Sequence, residues 1–155
     1  MSPILLVLVL VAVIPHLLLA GAGVVRLFVQ LPARHRLGAV AFAKYSRAMD
    51  LGNGLYLYPL LGIGGPLATW VAFALAALWH ASGGLLLPLG IASGLAVLHS
   101  FTTTQAAPTM MRIGRAEDRS EILGPLLERF TLWSWARAIL QAVTAGVLVW
   151  ALLAS

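Results

Sequence analysis

Residues 131 to 154 read TLWSWARAILQAVTAGVLVWALLA, an apolar run whose one charge is Arg137. Crossing a hydrocarbon core of ~30 Å takes roughly 20 residues of helix, and this run is long enough. Its polar members keep helical spacing. Trp133, Arg137, Gln141 and Thr144 fall at i, i+4, i+8 and i+11 and share one face. Facing lipid, the arginine alone would cost ~2.5 to 3.5 kcal/mol. The run therefore predicts a membrane helix that needs neighbours.

Three further segments supply them: residues 3 to 28, 55 to 79 and 84 to 107 are similarly long and apolar. Over the chain of 155 residues, 61% are hydrophobic and 10% charged, with a mean hydropathy of +0.95; soluble domains carry about 25% charged residues. The expected fold is all-α, an integral membrane four-helix bundle with antiparallel up-down connectivity. A single transmembrane domain spans residues 1 to 155, with loops at about 31 to 53 and 108 to 130. The absence of cysteine excludes disulfides, thiolate metal sites, iron–sulfur clusters and covalently attached c-type haem.

Charge sets the orientation. Arg34, Arg36, Lys44 and Arg47 occupy the first polar loop, and Arg112, Arg115, Arg119 and Arg129 the second, while the 80 to 84 turn and both termini carry no Lys or Arg. Basic loops stay in the cytoplasm, so both termini are expected outside it, in a bacterial inner membrane. The net charge of +5 then reflects insertion and attraction to anionic membrane lipids, not nucleic acid. Ala20 and Ala22 resemble a signal-peptidase site. No basic residue precedes the long first run, which reads instead as an uncleaved span.

Prolines and loop residues refine the helices. Pro15 should kink the first span and Pro66 the second, with Pro59 near its start. The third is expected to begin near Pro88 and stop before Pro108, and the fourth to begin with Ser120 as N-cap and Pro125 in its opening turns. Between Arg36 and Asp50, the residues Leu37, Val40, Ala41, Tyr45 and Ala48 predict the apolar face of a short interfacial helix.

Small and polar stripes mark the bundle interior. The first span presents His16, Ala20, Gly23, Arg26 and Gln30; the second Gly54, Tyr58, Gly62, Gly65 and Thr69; the third Ala92, Ala96, His99, Thr102, Thr103 and Ala106. With the inner boundary near Gln30, Ala107 and Phe130, and ~1.5 Å of rise per residue, His99 and Arg137 lie roughly 11 to 12 Å inside. His16 lies about 21 Å inside, an offset from His99 of about 9 Å that argues against haem held between the two imidazoles. Arg137 either ties helices together or holds an anionic or carbonyl group in a cavity. His99 is either a hydrogen-bonded core residue or a neutral base. Asp50 and Asn53 sit where they would pair with Arg26 or cap the second span. Phosphate loops, H-E-x-x-H, G-x-S-x-G and intramembrane carboxylate pairs are absent from the sequence, so no metal and no cofactor are expected.

The runs Thr104-Gln105-Ala106-Ala107-Pro108-Thr109-Met110-Met111 and Leu127-Glu128-Arg129-Phe130-Thr131-Leu132-Trp133-Ser134-Trp135-Ala136-Arg137 resemble those of the anthrone-oxygenase-like family of small four-helix membrane proteins. There a proline-containing polar motif ends the third helix and a W-x-x-x-R run opens the fourth. The resemblance implies oxidation of a polycyclic phenol by dioxygen without metal or flavin. On it, His99 is the base, Arg137 the anion holder, Gln141 with Thr102 or Thr103 the orienting donors, and Trp133 a stacking platform, with Tyr58 also at the substrate. The ligand is then lipophilic, aromatic or quinone-like. The alternative is a non-enzymatic accessory subunit of a larger respiratory or photosynthetic membrane complex; a homo-oligomer is equally open.

Overall fold

The computed structural model describes residues 2 to 154. Of its residues 91% are helical, with no strand among those described. Helix α1 (Pro3–Val25) starts with Pro at its first position and the Ser2 hydroxyl accepting from the Leu5 amide at 3.3 Å. A π-helical turn, Arg26–Gln30, joins it without a break to α2 (Leu31–Leu37). Gly38, at φ 78°, then breaks the helix in a conformation that favours glycine. After it come α3 (Ala39–Asp50), α4 (Gly54–Leu78), α5 (Gly83–Arg115) and α6 (Ser120–Leu153).

Four helices are long and apolar enough to cross a membrane: Pro3–Leu37, Gly54–Leu78, Gly83–Arg115 and Ser120–Leu153. They pack in a ring, α1 against α4 and α6, and α5 against α4 and α6. Leu60, Ile63, Val97, Phe101 and Leu132 are more than half exposed on the outside of the ring. A surface this apolar suits lipid better than water.

Helix α5 runs through Pro108 to Arg115 instead of ending before it. Proline removes one amide, and an apolar segment tolerates the loss where neighbouring groups take up the slack. One residue on, the Thr109 hydroxyl donates to the Gln105 carbonyl at 2.9 Å. Arg47 of α3 holds the far end of α5, donating to the carbonyls of Ile113 (2.9 Å) and Ala116 (2.8 Å), where a cation is also favoured by the helix dipole. The N-cap of α6 is Arg119, not Ser120, in extended backbone; Ser120 opens the helix and Glu121 lies in its first turn.

Helix α3 is present, and most of its expected apolar face is open at the surface while Val40 packs against the core. Leu37 and Tyr45 are exposed, as are Ala41 and Ala48, and the buried residues are Phe42, Ala43, Ser46 and Asp50. Phe42 and Ala43 join Leu27, Leu31, Leu123 and Leu127 in one core cluster. The opposite face of α3 is the one that packs on the bundle. At the other end of the bundle, a second cluster of Leu5, Val9, Ala72, Leu89, Ala92 and Leu148 draws on all four long helices.

Candidate functional site

Between the two clusters the ring encloses a cavity of about 270 Å³. All four long helices wall it: Leu19, Gly23 and Arg26 from α1 and its π turn; Tyr58, Pro59, Gly62 and Ile63 from α4; His99, Thr103 and Ala107 from α5; Ser134, Arg137, Ala138 and Gln141 from α6. On one side α1 and α6 close tightly, since a Cβ on Gly23 would lie 2.8 Å from the Ala138 Cβ. Pro59 and Ile63 on α4 and Ala107 on α5 line the cavity while also reaching the surface, which marks the α4 margin as its open side.

The spacing of small residues makes this space, and the prolines make it polar. Pro66 deprives the Gly62 carbonyl of its usual helical amide partner. That carbonyl approaches the His99 ring without completing a hydrogen bond, and both ring nitrogens of His99 are buried and have no hydrogen-bond partner among the described residues. The Arg137 guanidinium and the Gln141 amide likewise have no hydrogen-bond or ion-pair partner there. Buried polar groups are ordinarily satisfied, so the His99 ring, facing the same cavity as Arg137 and Gln141, stands out.

Arg26 is handled differently. Its guanidinium pairs in bidentate fashion with Asp50, Nη1 donating to Oδ2 at 3.1 Å and Nη2 to Oδ1. Its Cζ lies 5.7 Å from the Tyr58 ring centroid and 5.4 Å from that of Phe130. A smaller cavity of about 110 Å³ lies beside this pair, lined by Asp50, Gly54, Met110 and Phe130 and sharing Arg26, Tyr58, Pro59, Ala107 and Arg137 with the first. The two chambers are thus adjacent, with the Arg26 and Asp50 pair at their junction.

Of the residues singled out in the sequence, His99, Arg137, Thr103, Gln141 and Tyr58 meet at the main cavity. Thr102 and Trp133 do not line it. The Thr102 hydroxyl donates to the His99 carbonyl at 2.7 Å, and that of Thr103 donates to the same carbonyl at 3.1 Å. Both therefore steady the α5 backbone instead of presenting a donor to a ligand. Trp133 packs edge-on against exposed Phe101, ring centroids 6.3 Å apart, on the outside of the ring. The i, i+4 spacing put Trp133 beside Arg137, but the arginine faces the cavity at the edge of the stripe.

The depth offset of His16 also fails. Its ring lies 6.2 Å from that of His99, centroid to centroid, at 77°, so the depth argument against a group held between the imidazoles falls. Apolar-run ends at Gln30 and Ala107 do not mark one level, because both helices continue beyond them to Leu37 and Arg115. Packing sets the register instead: a Cβ on Gly65 would lie 3.2 Å from the Pro15 Cβ and 3.3 Å from His16 Nε2. His16 Nε2 is 3.3 Å from the Thr69 hydroxyl. Among the described residues no group of three or more His, Cys, Asp or Glu is placed to hold a metal ion.

Asp50 takes one of the two roles its position in the sequence offered, pairing with Arg26 at the edge of the site. Ser134, on the cavity wall, is committed to the Phe130 carbonyl at 2.7 Å. The chain matches no protein-family model, no curated protein and no solved structure.

Proposed function

We propose that this protein is an antiparallel up-down membrane bundle whose cavity binds a flat, lipid-soluble aromatic ligand of phenolic or quinone-like chemistry. The supporting observation is the convergence of His99, Arg137 and Gln141 on one apolar-walled chamber, with both His99 ring nitrogens buried and lacking a hydrogen-bond partner among the described residues. An arginine serving only to tie helices would be expected to meet acceptors on them. At about 270 Å³ the chamber is near the small end of ligand pockets, ~300 to 1,000 Å³. It suits a compact ring system whose substituents continue outward at the α4 margin.

The chemistry that fits is cofactor-independent oxygenation of a phenolic substrate. His99 takes a proton from the activated ring carbon, Arg137 holds the oxyanion that forms, and Gln141 donates to a second oxygen. The enolate then passes electrons to dioxygen, and a ring CH₂ becomes C=O with release of water. Purified protein should consume dioxygen with an anthrone, and Arg137→Gln and His99→Ala should each abolish turnover without loss of the folded bundle. Recovery only within a larger complex, with no ligand bound, would sink this reading in favour of an accessory subunit.

The basic loops set the orientation, with both termini outside the cytoplasm. A cysteine at Ser82, exposed in the α4–α5 turn, should react with an impermeant thiol reagent in intact cells, and one at exposed Ser120 should not. The opposite pattern reverses the orientation.

A further inference from the structure

Charge is distributed unevenly over the two chambers. Arg26, Asp50 and Arg137 all face the smaller one, and Arg26 and Arg137 also face the larger. Asp50 engages Arg26 through both carboxylate oxygens, which leaves Arg137 without an ion-pair partner among the described residues. Two cations and one anion leave a surplus of a single positive charge. No other acid lines either chamber. In surroundings this apolar, that surplus draws in a counter-charge far more strongly than it would in water.

Resting on the aromatic-ligand reading, we infer that the site holds its ligand as a monoanion, through one acidic oxygen on Arg137, and that Asp50 determines this specificity by occupying Arg26. Arg137 meets the ligand directly. Asp50 acts through Arg26, as a positioning residue that sets how many cations are free. Removing Arg26 alone would release the Asp50 carboxylate toward Arg137, which faces the same chamber, and quench the anion site although Arg137 is untouched. Removing Arg26 and Asp50 together would restore one free cation and, with it, the preference. A neutral quinone carbonyl would take less from the same guanidinium, because hydrogen bonds between two charged partners are roughly twice as strong as neutral ones.

The test uses two probes of nearly the same shape, a hydroxynaphthoquinone that is ionised at neutral pH and its O-methyl ether, titrated into the purified full chain in detergent. The wild type should bind the anion about 10- to 100-fold more tightly than the ether, as expected for a hydrogen bond to a charged group. Arg137→Gln should abolish the difference. Arg26→Gln should abolish it too, and the double variant Arg26→Gln with Asp50→Asn should regain it, with ether binding reporting an intact chamber in each. Should Arg26→Gln fail to fold, Asp50→Asn supplies the decision: its second free cation should strengthen the preference for the anion, and an unchanged or weaker preference overturns the inference. Equal affinity of the wild type for both probes overturns the monoanion while leaving the aromatic-ligand reading intact. Binding of neither overturns both.

Discussion

The two halves of the bundle are built from the same four helices, yet one is sealed and the other hollow. In the half that includes Leu5, Val9, Ala72, Leu89 and Leu148, apolar side chains pack into one core cluster, and Leu89 and Leu148 are fully buried. In the other half, Gly23, Gly62 and Ala138 replace large side chains, and the space they leave is edged with Arg26, His99, Arg137 and Gln141. Stability and function are thus divided along the helix axes. The sealed half supplies dispersion contacts on every side of each side chain. The hollow half gives these up around the cavity, where the Arg26 and Asp50 pair ties the end of α1 to α3.

That tie should show the largest effect. Asp50→Ala leaves a buried guanidinium uncompensated and is expected to destabilise by about 3 to 5 kcal/mol, read as a fall in melting temperature in detergent. A melting temperature near wild type would mean that the hollow half has another brace. Next comes the sealed half, where Leu89→Ala should cost about 2 to 5 kcal/mol through lost packing and a residual void. Thr103→Ala, on the cavity wall, should stay within about 1 kcal/mol. Equal costs at Leu89 and Thr103 would erase the distinction between the halves.

Arg137→Gln is expected to change stability by no more than about 0.5 kcal/mol, since no protein partner is lost, while ligand binding disappears. A loss of ~1 to 3 kcal/mol with binding intact would make the arginine a helix tie. The smallest effect lies outside the spans, at Asp118. The Arg47 guanidinium, donating at 2.6 Å, holds this carboxyl below the usual carboxylate range, and Lys44 at 3.4 Å adds to the shift. Because the folded-state value is depressed, the contribution is present above the ordinary carboxylate value of ~3.9 and is lost as pH falls through the lower folded one. Amide exchange in the 116 to 119 loop should therefore quicken slightly at the acid end of that window, and Asp118→Asn should remove the dependence. Arg47 keeps its two carbonyl partners on α5 throughout, which keeps the effect small.

How far these features could be read beforehand follows from the range of the forces involved. Hydropathy and 3.6-residue periodicity are local, so the four long helices, the buried stripe through Ala92, Ala96, His99 and Ala106, and the shared face of Arg137 and Gln141 were determined by the sequence alone. So was the need of Arg26 for an acid, with Asp50 the nearest candidate. Only the tertiary structure decided which helix meets which at what height. The glycine contacts at Gly23 and Gly65 slide α1 along its neighbours until His16 meets His99, and no count of residues from an apolar boundary contains that register. The same holds for the residues α3 buries, which follow its packing against α6 and the charge on Arg26. It holds too for Thr102 and Trp133, which local spacing places beside the site and which a backbone carbonyl and an outward-facing aromatic partner draw away from it.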